Sequence, residues 1–207
     1  MTAYSLLGDR NTEYVFTTDN MLDGVAGFKA LDVGPGSLAA LGRYARDHGW
    51  DVTAVDLFTD AKIPGIEWRK ADLRDMTFEP ESFRLILNVS SIEHFGVPGR
   101  YGIKGYDADA DIQAMDMMAD WLSPAGRMIL TLPVGPDTLH APFHRVYGRR
   151  LDRLLAKYNI IDGQFWNKQD GFNSYRPCTA PEAFTTIPTL EPHHYYAIGG
   201  FVLEKAP

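Results

Sequence analysis

"ALDVGPGSLAALG", residues 30–42, is the stretch that decides the fold. An apolar run closes on an acid, Asp32, then turns through Gly34 and Gly36 into small residues suited to a helix. Lacking a Cβ, each glycine lets the backbone turn left-handed and lets a bound group come close. Strand, glycine turn and helix in that order open a parallel sheet and seat a nucleotide-bearing cofactor at the end of its first strand. Two cofactors from different enzyme classes satisfy the same letters.

The chain around this stretch alternates in the same manner. "KALDV" (29–33) reads as a buried strand, and a helix over 38–48 sets Leu38, Leu41 and Ala45 on one face. "DVTAVD" (51–56) and "IEWRK" (66–70) are the next strands. "FRLILNV" (83–89) has the near-continuous apolar character of a central parallel strand covered on both sides. A helix over 108–122 carries Ile112, Met115, Ala119 and Leu122, and "SPAG" (123–126) breaks the chain before the strand "RMILTLP" (127–133). A further helix over 145–158 is expected to align Tyr147, Leu151, Leu154, Leu155 and Tyr158. "IIDGQFW" (160–166) and "HYYAIGGFVLEK" (194–205) suggest an antiparallel pair at one edge. The pattern predicts a doubly wound, Rossmann-like α/β sheet, mostly parallel.

No repeat or linker divides the 207 residues, so one domain is expected. Its parts are a lead-in over 1–27, a cofactor-binding core over 28–135 and an acceptor-side segment with edge strands over 136–207. A net charge of -7, with no basic run longer than Arg149–Arg150, disfavours nucleic acid as a partner, because counterion release needs clustered Lys and Arg. One cysteine, Cys178, allows no intrachain disulfide and no thiolate metal cage, and reads as a small buried apolar residue. The start carries Asp9 and Glu13 and lacks the pattern of a signal peptide, and no apolar run suits a membrane span. A soluble, cytoplasmic setting is the expectation.

"GPGSLA" (34–39) satisfies the dinucleotide fingerprint, with Asp56 near the expected distance. On that reading the chain is a nicotinamide-dependent oxidoreductase. Asp32 argues otherwise, since a carboxylate at the strand tip repels a pyrophosphate and attracts an ammonium or sulfonium. "KADLRD" (70–75) then sets Asp72 after the third strand, where a carboxylate can accept from an adenine amino group, and "WLSPAGRMILTLP" (121–133) precedes and forms the fifth strand. On these residues the chain resembles the class I S-adenosylmethionine-dependent methyltransferases, over roughly 25–135 and the final strand.

The resemblance implies a seven-stranded sheet with the last strand antiparallel, and S-adenosylmethionine as cofactor. It makes Asp32, Gly34 and Gly36 the first cofactor motif and Asp56, with Leu57 beside it, the ribose ligand. Asp72 and Leu73 become adenine contacts, and Asn88 to Ser90 the strand-four tip beside the methionine moiety. Leu38 stands where the family often has a third glycine.

"NVSSIEHFGVPGRYG" (88–102) lies at the edge where such a sheet meets its substrates. Glu93–His94 recurs there in many small-molecule methyltransferases, and histidine suits the removal of a hydroxyl proton at neutral pH. His94 is the first candidate base, with Glu93 beside it and His144 as a second base; both acids and bases here also suit the simpler role of ordering a loop. Arg100, Tyr101 and Arg145 are candidate acceptor contacts, and Trp166, Phe172, Asn173 and Tyr175 a candidate lid over a sugar or aromatic ring. "SSIEHFG", "GRYG" and "HRVYG" together also resemble a little-characterised methyltransferase-like family linked with cell-surface sugar biosynthesis. "DADAD" (107–111) and His140, His144, His193 and His194 lack a recognised metal spacing, and the acids suit a helix start, so no metal is expected. The reading is methyl transfer to a small molecule, a hydroxyl and a sugar being favoured; the alternatives are the oxidoreductase and a non-catalytic binding module.

Overall fold

β1 (Lys29–Val33) lies between two parallel neighbours, β2 (Asp51–Asp56) and β4 (Phe83–Val89). In this computed structural model, which describes residues 9–99, 101–168, 174–189 and 196–207, β3 (Ile66–Lys70) extends the sheet beyond β2 and β5 (Leu122–Val134) lies beside β4. β10 (Ala197–Lys205) runs antiparallel to β5, β8 (Tyr158–Lys168) antiparallel to β10, and β9 (Tyr175–Cys178) closes that edge. The order is β3-β2-β1-β4-β5-β10-β8-β9. Seven of these strands form the mostly parallel sheet expected, with β10 as the antiparallel member. β9 is an additional strand, and its Pro177 suits a sheet edge, where the absent N–H costs no ladder bond.

The apolar residues divide by strand alternation into two layers. Leu31 and Val33 join Ile86, Leu130 and Leu132 on one face, covered by α3 (Ala110–Trp121) through Met115, Met118 and Trp121. Ala30 joins Val52, Leu85 and Leu87 on the other, covered by α2 (Ala40–Asp47) through Leu41 and Ala45. Leu38 is 71% exposed and stands in the turn before α2, so it takes no part in that face. The lead-in holds α1 (Asp9–Asn20), whose Phe16 lies edge-on to Trp166 at 5.5 Å. A Cβ on Gly200 would meet the Phe16 ring at 2.8 Å, so the glycine lets this helix dock on β10.

Two expectations change. "SPAG" is a bulge inside β5: Phe83 pairs with Leu122, and the next pair is Leu85 with Arg127. The helix expected over 145–158 is α4 (Arg150–Leu154) alone. Before it, β6 (Thr138–His140) and β7 (His144–Val146) form an antiparallel hairpin. The Asp137 carboxylate accepts from the N–H of Gly148 at 2.7 Å and of Arg150 at 3.2 Å, which sets the helix start there. The five apolar residues of the stripe are all buried even so. Finally, α5 (Ala180–Thr185) follows β9, capped by Thr179 and Glu182 in a reciprocal box.

The acids of "DADAD" are spent on arginines. Asp111, wholly buried, accepts from Arg150 at 2.9 and 2.6 Å and from the Tyr147 hydroxyl at 3.0 Å. Asp107 pairs with Arg74 and Asp109 with Arg150 and Arg153. Removing one partner of a buried pair leaves a desolvated charge, at a cost of about 3 kcal/mol or more. Arg150→Met is therefore expected to lower stability by about that amount, read as a lower urea midpoint.

Candidate active site

The strand order reverses beside β1, which opens a crevice at the carboxyl ends of β1 and β4. A cavity of about 260 Å³ fills it. Asp32, at the end of β1, is 4% exposed and its Oδ2 has no hydrogen-bond partner among the described residues. Burial pushes this carboxyl up to about 7, against the pull of the Gly42 backbone. Gly34 and Gly36 take φ of +65° and +63°. A Cβ on Gly34 would collide with the Ser91 side chain, whereas one on Gly36 would meet nothing within 4 Å.

Asp56, at the end of β2, holds the glycine loop. Its Oδ2 accepts from the Gly36 N–H at 3.0 Å, and its Oδ1 from the N–H groups of Phe58 and Thr59 at 2.9 and 2.6 Å. Oδ1 is thus fully used, and Oδ2 keeps one lone pair for a ligand hydroxyl. Leu57 and Phe58 line the cavity beyond it. Asp72 caps the short helix Leu73–Asp75 and takes the Arg74 guanidinium as a fork, at 3.1 and 2.8 Å. Burial alone would raise Asp72, but Arg74 holds it below the usual carboxylate range. Asp72, Leu73 and Arg74 all line the cavity.

A second cavity of about 580 Å³ adjoins the first, and Arg10, Ser90, His94 and Tyr101 line both. Ser90 and Tyr101 sit at φ of +50° and +59°, strained conformations of the kind held at functional sites. His94 Nδ1 lies 2.6 Å from the Phe143 carbonyl oxygen, which can only accept. Nδ1 therefore carries the proton, and in the neutral ring Nε2 is the acceptor. Glu93, 2% exposed, lines the second cavity; its Oε1 lies 3.8 Å from His94 Nε2, and its Oε2 has no partner among the described residues. Burial pushes Glu93 up to about 7. His144 and Tyr196 add to the polar lining.

The helix α1 is the part of the site that the sequence reading passed over. Arg10 and Tyr14 line the first cavity and Asp9 the second. Arg10 donates to Glu13 at 2.5 Å, the Thr131 hydroxyl donates to Glu13 at 2.8 Å, and the Ser90 N–H donates to Thr131. This chain ties α1 through β5 to the loop after β4. The signal lay in Arg10 and Glu13, three residues apart on a helix whose Phe16 and Thr17 face inward.

Four expected contacts line neither cavity. Asn88 is wholly buried, accepts from the Ile92 N–H at 3.1 Å and lies against Met118, so it orders the loop from behind. Arg145 follows His144 in β7, and adjacent strand residues face opposite ways; with His144 in the cavity, Arg145 is buried on the other side, on the Phe95 and Asp107 carbonyls and 3.8 Å from Asp111. Trp166 packs on Phe16 in the core. Tyr175 stands behind Tyr196, ring centres 6.3 Å apart. Arg100, Phe172, Asn173, His193 and His194 lie outside the described residues. Among the described residues no group of His, Cys, Asp or Glu has the arrangement of a metal site, and no helix is long and apolar enough to cross a membrane.

A family model described as "Caenorhabditis protein of unknown function, DUF268" matches residues 71–174, half of the chain. The chain belongs to this family. The DUF268 chain is also similar to a demethylmenaquinone methyltransferase of Tropheryma whipplei, 31% identical over 146 residues. That match covers 66% of this chain and 55% of the relative, so the chain spans about half the length of the curated relatives it matches. Among solved structures, the 1,6-didemethyltoxoflavin-N1-methyltransferase of Burkholderia thailandensis aligns over 96% of this chain and 78% of its own, at 18% identity and TM-score 0.60. The N-methyltransferase NodS of Bradyrhizobium japonicum aligns over 96% and 88%, at 13% identity and TM-score 0.60. The fold of this DUF268 member is that of the class I methyltransferases.

A buried carboxyl raised to about 7 binds its proton in the folded chain at pH values where the unfolded chain has lost it. Stability therefore falls as pH rises from the ordinary Asp value through 7. Asp32→Asn removes that penalty, so at pH 8 the variant is expected to melt several degrees above the parent, and at pH 5 the difference should shrink. Equal melting at both pH values would contradict an uncompensated Asp32 charge.

Proposed function

We propose that the protein is an S-adenosylmethionine-dependent methyltransferase with a small-molecule acceptor, methylating a hydroxyl such as that of a sugar. The observation that carries this reading is the pair of adjoining cavities, with the buried Asp32 carboxyl on the wall of one and His94 on the wall they share. S-adenosylmethionine supplies, when bound, an electrophilic methyl group on a sulfonium.

The residues of the first cavity suit that cofactor. The Asp32 carboxyl, on the cavity wall at the end of β1, offers an ammonium a carboxylate partner. The open space at Gly36 admits a ligand against the loop, and Asp56 Oδ2 keeps a lone pair for a ribose hydroxyl. Asp72 and Leu73 stand where an adenine edge would lie, beside Leu57 and Phe58. A pyrophosphate would instead face the Asp32 carboxylate, largely out of water. The site therefore favours the sulfonium cofactor over a nicotinamide dinucleotide.

On the acceptor side, His94 has its tautomer set by the Phe143 carbonyl, and its Nε2 takes the proton of the acceptor hydroxyl. Ser90 and Tyr101 on the shared wall orient the acceptor toward the first cavity. In-line displacement depends on such positioning for much of its acceleration. The curated relative and the solved neighbours carry methyltransferase names, which supports the same chemistry here.

Calorimetric titration tests the cofactor directly. S-adenosylmethionine and S-adenosylhomocysteine should bind saturably, NADH should not, and Asp56→Ala should abolish binding. Affinity should fall as pH drops from 8 to 6, because Asp32 takes up its proton near 7 and loses its attraction for the ligand ammonium, and the Asp32→Asn variant should show no such slope. With an acceptor in hand, His94→Ala should keep cofactor affinity while turnover falls by about 10²–10⁴. Unchanged turnover would remove the base role, and cofactor binding with no turnover on any acceptor would leave a binding module.

A further inference from the structure

The second cavity differs from the first in what its polar groups leave unspent. Four charged groups stand at or just behind its wall: Asp9, Arg10, Glu13 and Glu93. Arg10 is the single arginine among the described lining residues, and it is engaged by Glu13 at 2.5 Å. Glu13 is itself 1% exposed and takes a second bond from Thr131. Asp9 accepts from the Tyr196 hydroxyl at 2.8 Å and from the Arg10 N–H at 2.9 Å. Three acids thus share one cation.

Glu93 is the one of these acids that keeps an oxygen in reserve. Ser90 bonds to its carboxyl, but Oε2 is buried with no partner among the described residues. A buried acceptor left unpaired is costly, so its presence in a residue of the cavity wall points to a ligand that donates to it. His94 Nε2 stands 3.8 Å from the other oxygen of the same carboxyl. Glu93 and His94, neighbours in the chain and both on this wall, set two hydrogen-bonding side chains side by side for one small molecule, as adjacent hydroxyls require. Ser90, His144 and Tyr196 add groups that give and take hydrogen bonds, which again suits hydroxyls. An anion in this chamber would instead meet the Asp9 and Glu93 carboxyls with Arg10 already held by Glu13 and no uncommitted cation among the described residues, and like-charge contact out of water is strongly unfavourable.

We propose that the second cavity takes an uncharged, polyhydroxylated acceptor, a free sugar or cyclitol, and rejects its phosphorylated and carboxylated counterparts, Glu93 binding the hydroxyl next to the one that His94 deprotonates. This rests on the methyltransferase reading above and narrows its acceptor. Glu93 is here a specificity-determining contact, and a methylated polyol and S-adenosylhomocysteine are the products.

Saturation-transfer difference NMR on the full chain loaded with S-adenosylhomocysteine tests it, using probes matched in shape and differing in charge. The pairs are myo-inositol with inositol 1-phosphate, and methyl glucoside with glucuronic acid; ethanolamine serves as the cationic probe. The neutral member of each pair should bind at least about tenfold more tightly than its anionic partner, a difference of about 1.4 kcal/mol. Glu93→Lys should reverse that order, and Glu93→Gln, a milder change, should keep the neutral probe and relax the rejection of the anion. Equal or better binding of the anionic members to the parent protein overturns the proposal, as does preference for ethanolamine or no signal from any polyol. Failure of S-adenosylhomocysteine to bind during loading is a separate result, which removes the cofactor reading itself.

Discussion

β1 has parallel neighbours on both sides, and the chain leaves its carboxyl end in one direction toward β2 and returns on the other as β4. No crossover helix can cover that point, so the sheet opens there. The first cavity follows from this constraint. Asp32 ends β1, the glycine loop leaves it, Asp56 ends β2 and grips that loop, and the strained Ser90 leaves β4. A carboxyl placed at the mouth of such a crevice loses more by leaving water than the Gly42 backbone returns, which is why Asp32 holds its proton to about 7.

The second cavity has a different origin. It exists because α1 is pinned across the sheet by Phe16 on Gly200 and by Glu13 on Thr131. Those contacts bring Asp9 and Arg10 to the loop after β4, and the β6–β7 hairpin brings His144 from the far side. The result is a chamber with charges of both signs, most of them already paired. Its wall is shared with the first cavity through side chains that belong to three separate parts of the sequence: Arg10, Ser90 with His94, and Tyr101.

The residues that were misplaced by sequence reasoning share a cause. His144 and Arg145 look equivalent in a loop or at a helix start, but a strand sends neighbours to opposite faces, so only one can meet the cavity. Asn88 looks like a polar group at a strand tip, and only the position of α3 shows that it points inward toward Met118. Trp166 and Tyr175 carry the aromatic surface expected of a lid, yet Phe16 and Tyr196, distant in sequence, claim them. The apolar stripe of Tyr147, Leu151, Leu154, Leu155 and Tyr158 was legible as buried and illegible as to backbone, since Asp137 decides where the helix begins. "TAPE" at 179–182 carries a capping box in plain letters, and α5 begins there.

What the sequence determined by itself was local and periodic. The run of apolar strands, the acid and glycines at 32–36 and the acids at Asp56 and Asp72 specify a parallel sheet and the edge where its loops gather, because strand alternation and left-handed turns are written residue by residue. Only the tertiary structure decided which polar groups face one another across that edge. Glu13 with Arg10, Arg74 with Asp72 and Asp107, and His94 with the Phe143 carbonyl are meetings of distant or turn-separated groups whose distances depend on packing. Whether a buried carboxyl finds a partner or is left waiting, as at Asp32 and Glu93, is a property of three-dimensional desolvation that no one-dimensional pattern encodes.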